Sequence, residues 1–487
     1  MLRCSSICLL LFVAACGDDG GANHPPDAPI GIDAPAPDAP PATGSVNILA
    51  TSRSDSGVAP GTPVQDVLVV ALKKDGSLAS TAMTAADGTA TLTGLSDGAS
   101  VTAVYPITDN DHNLVTYVDV KIGDHLTFGD KYYAPYVVDG AEGTLAVTWQ
   151  PVTDALYYRV FWQCNPSYGL YVSSGTNANL SLDSYCQTAT TPLVVKAFGM
   201  NDTLLASIHL TATASTPGTT LDLTADQWVT PTPDNLPVSL AGLSAPTNDA
   251  YVGISTDFRG LSYTTSRYLI VTSGAAMTTY TVAALDAATA FAELSRDGNY
   301  GAQYSYKRGT GALVLPAPTL PWLGGLIVNA TQAVWLQSSG SAYDAGVLQL
   351  NWNRQLGGGG GGGVPGANAT EYFHWSVILP PNLSSFSFPT PPAALAAFLP
   401  DDSTNVSANL ELIDLSSAGD YDAARALPEY RLTDLEAAVR SGDEPSGTSS
   451  TSDGGEGFGF DRIAGRLKQQ LTHAAALPHV AKPRARH

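Results

Sequence analysis

The feature that most constrains this chain is a recurring two-residue alternation of β-branched or apolar side chains with small polar ones, in short runs broken by turn dipeptides. Runs at 46–51, 65–72, 89–93 and 100–105 put successive side chains on opposite faces of an extended backbone, and Asp75-Gly76 and Asp87-Gly88 supply tight turns between them. The alternation resumes at 268–271, 278–283, 302–306, 333–336, 347–351, 373–379 and 407–413. A helical core needs apolar residues at a period near 3.6 instead. Only 14% of residues are charged, and Gly, Ala, Thr, Ser and Val abound. The pattern predicts an all-β protein, and 487 residues suggest about three domains.

The N-terminus carries a different signal. Met1-Leu2-Arg3 precedes an uncharged apolar stretch over 7–15. About nine such residues are too few for a membrane-spanning helix, which needs ~20, and match the apolar region of a secretory signal. The Val13-Ala14-Ala15-Cys16 sequence that follows resembles the bacterial lipobox. The resemblance implies that 1–15 is a signal peptide, that Cys16 becomes the lipidated first residue, and that the protein is held in the cell envelope, at the outer membrane. Its partner there is membrane lipid through Cys16. Residues 16–43, with Asp27-Ala28-Pro29, Asp33-Ala34-Pro35 and Asp38-Ala39-Pro40, then read as an extended acidic tether. At ~3.1 Å per residue its reach is about 80 Å.

Cys4 and Cys8 fall in the signal and Cys16 carries the lipid, which leaves Cys164 and Cys186. In the oxidising, exported setting implied by the lipobox, these two are expected to form a disulfide. In the chain-entropy model a loop of that size adds roughly 3 kcal/mol.

The folded part divides into segments 44–130, 131–225 and 226–440. Pro63-Val64-Gln65-Asp66-Val67-Leu68-Val69, then Thr84-Ala85-Ala86-Asp87-Gly88-Thr89-Ala90, Leu92-Thr93-Gly94-Leu95 and Val101-Thr102-Ala103-Val104 resemble the carboxypeptidase-regulatory-like and Cna-B-like β-sandwiches. The resemblance implies a non-catalytic module of seven to eight strands. In the second segment, Leu145-Ala146-Val147-Thr148-Trp149-Gln150-Pro151-Val152 and Tyr158-Arg159-Val160-Phe161-Trp162 resemble the core strands of a fibronectin type III module. This implies that Trp149 is a core residue; the alternation puts Tyr158, Val160 and Trp162 on one face. A last hairpin is expected across Asn201-Asp202. The third segment reads as one or two further β-sandwiches of no recognised family, with a short helix at 286–294, a glycine insertion at 357–363 and a Pro/Phe-rich stretch at 380–400 wrapping a sheet edge. Thr433-Asp434-Leu435-Glu436 fits a capping box for a helix ending near Arg440. The composition of 441–487 predicts a disordered tail. The fold class is thus tandem immunoglobulin-like β-sandwiches after a lipoprotein signal and a Pro-rich tether, with that tail at the end.

Candidate chemistry is sparse. Gly94-Leu95-Ser96-Asp97-Gly98 matches the letters of a nucleophile elbow but lies between two strands, where that motif needs a following helix. In Asp109-Asn110-Asp111-His112-Asn113 the oxygens of Asp109, Asp111 and Asn113 begin like a calcium loop, but Leu114 and Val120 stand where its glycine and glutamate belong. Tyr168 and Tyr171, inside the proposed disulfide loop, are the candidate aromatic platform for a sugar. A net charge of −21 repels phosphates and excludes nucleic acid as a partner. The expectation is a lipid-anchored envelope protein whose modules bind, adhere or display, with a glycan or envelope protein as partner, no cofactor and no catalysis. The alternative is an exported carbohydrate-active or other hydrolase with its site in 236–415.

Overall fold

The computed structural model describes residues 42–452 apart from 53–60, 106–110, 131–142, 163–164, 174, 183–189, 215, 231–233, 244–248, 259–260, 270–273, 283–286, 296–300, 311, 318, 330, 356–369, 389–391, 401–405 and 442; its elements belong to one unit from Thr43 onward. The fold is all-β, with several sheets and only short helices.

The first segment forms β1 (Gly44–Ser52), β2 (Thr62–Pro63), β3 (Leu68–Leu72), β4 (Leu78–Met83), β5 (Thr89–Leu95), β6 (Ala99–Val104), β7 (Asp111–Val120) and β8 (His125–Asp130). The turn dipeptides act as the sequence requires. Asp75 Oδ1 accepts from the Ser77 backbone N–H at 2.9 Å, and Asp87 Oδ1 from that of Thr89 at 3.0 Å. Gly88 has a φ of +74°, and a Cβ there would stand 2.5 Å from the Ala50 carbonyl oxygen, so both torsion and space demand glycine. β1 pairs with β2, β5 and β8, while β4-β3-β6-β7 forms the facing layer. Gly94–Gly98 falls at the β5–β6 turn, with no helix after it.

The second segment forms β9 (Gly143–Trp149), β10 (Tyr157–Trp162), β11 (Asn165–Val172), β12 (Asn177–Leu182), β13 (Thr190–Phe198), β14 (Leu204–Ala214) and β15 (Thr220–Leu223). Two sheets, β11-β10-β13-β14 and β12-β9-β15, enclose a core of their own containing Trp149, Tyr158, Val160 and Trp162. The hairpin from β13 to β14 turns through Asn201 and Asp202, both at φ 56°.

The third segment forms β16 (Asp234–Leu243), β17 (Asp249–Phe258), β18 (Leu261–Leu269), β19 (Gly274–Val282), β20 (Ala287–Ser295), β21 (Gln303–Gly309), β22 (Leu313–Leu315), β23 (Leu323–Val328), β24 (Gln332–Gln337), β25 (Ala345–Gln355), β26 (Thr370–Leu379), β27 (Ser385–Ser387) and β28 (Val406–Leu415), with α1 (Ala393–Ala396), α2 (Tyr421–Arg425), α3 (Tyr430–Thr433), α4 (Leu435–Ser441) and β29 (Ser446–Thr451).

The first and third segments share a sheet. β7 pairs in parallel with β26, so strands of the first and third segments join one twelve-stranded sheet, β18-β17-β20-β21-β29-β28-β25-β26-β7-β6-β3-β4. Pairing removes the open edge that β7 would otherwise present. The alternation along each strand gives this sheet two buried faces. Val115, Tyr117, Val347 and Ile378 face the β1 layer and the helices, while Leu114, Leu348, Leu350, Phe373, Trp375 and Val377 face the small sheet β23-β24-β27. A third core lies between β16-β19-β22 and the strands β17 and β20.

Three local expectations are corrected. In place of the helix expected at 286–294, residues from Ala287 onward form β20: Ala288, Ala290, Ala292 and Leu294 recur at period two and bury one face between two antiparallel partners, which overrides alanine's helix propensity. The tail does not begin at 441, because β29 inserts between β21 and β28 with Ser449 and Ser450 buried; the remainder from 453 lies outside the described residues. Within the 380–400 stretch, β27 pairs along the open edge of β24, as expected, and Phe386, Phe388 and Leu395 pack on the second core. The last helix is capped one residue later than expected, by Asp434, whose Oδ1 accepts from Ala437 N at 3.1 Å.

Candidate functional site

The face of the long sheet that carries the first core changes character along its strands. Tyr117, Ile378 and Val347 form an apolar row across β7, β26 and β25. Two residues on, the row reads Val115, Ser376, Gln349; two further, Asn113, His374, Asn351. Because side chains two apart share a face, this polar ladder stands beside the apolar rows and borders a cavity of about 240 Å³. Glu429, Thr433 and Asp434 close it from the α3 side, and Tyr105 and Gly129 complete the wall.

His374 Nδ1 lies 2.7 Å from Asn351 Oδ1, so the imidazole donates there, and its Nε2 is an acceptor in the neutral ring. Burial lowers the His374 pKa, against the opposing charge of Asp111, so the ring carries no charge at neutral pH. Gln349 Nε2 reaches the Thr433 carbonyl at 3.5 Å. Glu429 is 4% exposed; its backbone N–H donates to Thr127 O at 3.0 Å, which ties the start of α3 to β8. Tyr117, next along the sheet, has its phenol pushed up by burial and then by the Glu429 charge. The cavity wall carries two carboxylates, three amides and one imidazole.

The sequence-named residues fall as follows. Cys16, Cys164, Cys186 and Asp109 lie outside the described residues. Asp111 and Asn113 are at the start of β7, in extended backbone that puts both on one face of the sheet, while Asp109, the first of the three proposed calcium ligands, lies outside the described residues. Among the described residues no three His, Cys, Asp or Glu side chains group as metal ligands. Asn113 instead joins the cavity wall. Tyr168 lies on β11, with its side chain outside the description.

Tyr171 is 58% exposed and sits in an aromatic corner. Tyr157 lies between Tyr171 and Phe198, with ring centroids 4.9 and 5.0 Å away, and its hydroxyl donates to Asp202 Oδ1 at 2.7 Å. Leu156 and Met200, 57% and 73% exposed, are their chain neighbours. Strand pairing of β10 with β11 and β13 gathers these residues from three stretches of chain.

The fold and these two features define a multi-sheet, all-β protein with a polar cleft in its longest sheet and an aromatic corner on a separate sandwich. No family model and no curated protein sequence matches the chain. Among solved structures it is similar to the Bacillus anthracis TIE protein at 12% identity and a TM-score of 0.16, over 56% of this chain and 49% of that one. A tetra-tandem repeat from the extending region of a large adhesion protein aligns at 11% identity and a TM-score of 0.11, over 78% and 97%. The RrgB pilus protein from Streptococcus pneumoniae aligns at 9% and 0.13, over 63% and 72%. The chain spans about half the length of the TIE protein, and scores this low carry no argument about its function. No described helix is long and apolar enough to cross a membrane.

Proposed function

We propose that this is a lipid-anchored protein of the cell envelope whose β-sandwich modules bind or adhere at the end of a tether. The anchor reading rests on Val13-Ala14-Ala15-Cys16 and the acidic Pro-rich stretch after it. The fibronectin-like reading of the second module draws support from its strand order β11-β10-β13-β14 and the buried Trp149, although β15, parallel to β9, fills the edge beside that strand. The observation that carries a binding role is the exposed aromatic corner: Tyr171, 58% exposed, presents a ring for a sugar face, braced by Tyr157 and Phe198 and near the Asp202 carboxylate as hydrogen-bond acceptor.

Two measurements test this. Membrane-extracted protein should begin at residue 16 with a triacyl mass increment, and Cys16→Ser should release it from membranes; a soluble, unacylated wild-type chain refutes the anchor. Immobilised envelope glycans should retain the wild type and lose a Tyr157→Ala/Tyr171→Ala variant, whereas equal retention removes the corner from the binding surface.

A second reading, an exported hydrolase, is favoured by one observation. β25 and β26 of the 236–415 segment help to form a cleft whose wall includes the carboxylates Glu429 and Asp434, and paired carboxylates are what glycoside hydrolysis requires. Release of reducing ends from glycans, abolished in Asp434→Asn, would establish it; no release from any glycan tested would set it aside.

A further inference from the structure

We infer that the aromatic corner of the second module selects acidic sugars, taking a hexuronate ring on Tyr171 with the sugar carboxylate at Arg159 and a ring hydroxyl at Asp202. The inference rests on reading that corner as a sugar surface, and it adds the class of sugar.

Strand register supplies the cation. Tyr171 of β11 pairs with Arg159 of β10, and Phe198 of β13 pairs with Tyr157. Directly paired residues stand on one face with their Cβ atoms about 5 Å apart. Tyr157 and Arg159, two apart on β10, share that face, so the rings and the guanidinium belong to one surface. Arg159 is partly exposed, and none of the ion pairs among the described residues includes it. Burial and then Asp202 push the Tyr157 phenol upward, and the nearby Arg159 charge opposes them. Lys196, opposite Arg159 on β13, is 5% exposed and engaged within the protein, so Arg159 is the cation of this row that a guest can meet.

The two ends of the corner differ in charge. Asp202, exposed in the turn from β13 to β14, accepts from the Tyr157 hydroxyl at 2.7 Å and keeps lone pairs for a sugar hydroxyl. Arg159 lies two residues further from that turn, about 6.6 Å along the strand, a span that one pyranose ring bridges. A guest carboxylate is repelled at the first end and held at the second, which leaves an acidic ring one favoured orientation. Asp202 already holds a donor, whereas Arg159 has no counter-charge among the described residues, so the preference falls on an anion. The planar guanidinium can meet both oxygens of a carboxylate at once.

The net charge of −21 does not oppose this. At physiological ionic strength, charges beyond about 8 Å are largely screened, so the local cation decides. The platform is also set before a ligand arrives. Tyr157 is held between Phe198 and Tyr171, at interplanar angles of 14° and 34°, and three paired strands fix the spacing.

The test is calorimetric titration of the full chain with short oligomers of galacturonate, glucuronate and mannuronate, each beside its methyl ester. The ester keeps the rings and removes the charge. At least one acid should bind about tenfold or more tightly than its own ester. Arg159→Gln should bring that acid down to the affinity of its ester, with ester binding and the melting temperature near their wild-type values. Tyr171→Ala should weaken acid and ester by the same factor. Equal affinity of every acid and its ester overturns the inference, and so does an acid preference that survives in Arg159→Gln. The comparison of acid with ester uses the wild type alone, so it decides the matter even where a variant fails to fold. Equal binding of acid and ester that is lost in Tyr171→Ala removes the acidic class and keeps the sugar surface. No saturable binding of any acid at millimolar concentration overturns the inference, while retention on immobilised neutral glycans would still support the sugar surface itself.

Discussion

Arg425 Nε donates to Asp124 Oδ2 at 2.8 Å, joining residues 301 positions apart. The same guanidinium donates to Asp119 O at 3.0 Å and to Asp422 Oδ1 at 3.1 Å, and it lies 5.1 Å from the centre of the Tyr421 ring. Arg425 is 1% exposed, so helix α2 is fastened to the β7–β8 turn by one buried, fully directed fork.

Arg425→Ala should therefore cost about 2–3 kcal/mol, below the roughly 3–5 kcal/mol of a fully buried pair, because Asp124 and Asp422 are 23% and 53% exposed and keep water when the guanidinium is lost. Arg425→Lys should recover little of it, because an ammonium cannot reproduce three in-plane directions. Urea denaturation measures both, and a loss under about 1 kcal/mol for the alanine variant would show that α2 is held mainly by its apolar contacts.

Stability should fall as pH rises through neutrality. Burial raises the Glu411 carboxyl from 4.5 to about 7, partly offset by a hydrogen bond from Ser449, and burial raises Asp344 from 3.8 to about 6, offset by the Leu415 N–H. Between the unfolded and folded values the native state binds more protons, so the contribution is full below about pH 4 and is lost as pH climbs through the folded values. Glu411→Gln should flatten the decline in melting temperature between pH 5 and 8; an unchanged slope would place the titration elsewhere.

The buried His112 ring stacks on Phe373 at 4.4 Å, with Trp352 a further 5.2 Å beyond, and neither ring nitrogen has a hydrogen bond. Glu371 Oε1 stands 3.5 Å from Nε2. His112→Phe should leave stability at pH 7.5 unchanged or raise it by about 1 kcal/mol, since an apolar ring of like shape removes an unmatched polar group. A loss above about 2 kcal/mol in thermal denaturation would show instead that the pair with Glu371 holds the ring.

The 131–230 stretch should fold alone, because its two sheets share a core separate from the long sheet. Dispersed amide resonances from that fragment would confirm it. Trp149→Ala, which opens a cavity beside Tyr158, should cost about 3–5 kcal/mol and collapse the dispersion.

Much of the strand content was legible locally. Alternation at 46–51, 100–105, 347–351 and 373–379 sits where strands form, and Asp75-Gly76 turns the β3–β4 hairpin, whereas Asp87-Gly88 turns between β4 and β5, which belong to different sheets. Half of the cleft was also written in the chain as a pattern, since His374 and Ser376 alternate with Phe373, Trp375 and Val377, and Gln349 and Asn351 with Leu348, Leu350 and Trp352. Such alternation ordinarily means a solvated sheet face, and nothing nearby in sequence says that Glu429 and Asp434 will close over it.

The sequence by itself determined the all-β class and the turns, because periodicity and turn torsions are properties of a few neighbouring residues. Only the tertiary structure decided that β7 would pair with β26, that β20 would be a strand despite its alanines, and that β29 would enter the sheet late in the chain. Those outcomes depend on which open edge finds which partner, and a strand's edge carries backbone groups that are alike in every sequence. The cleft followed from them, as two rows bearing polar side chains met across β7 and β26, strands that lie more than two hundred residues apart.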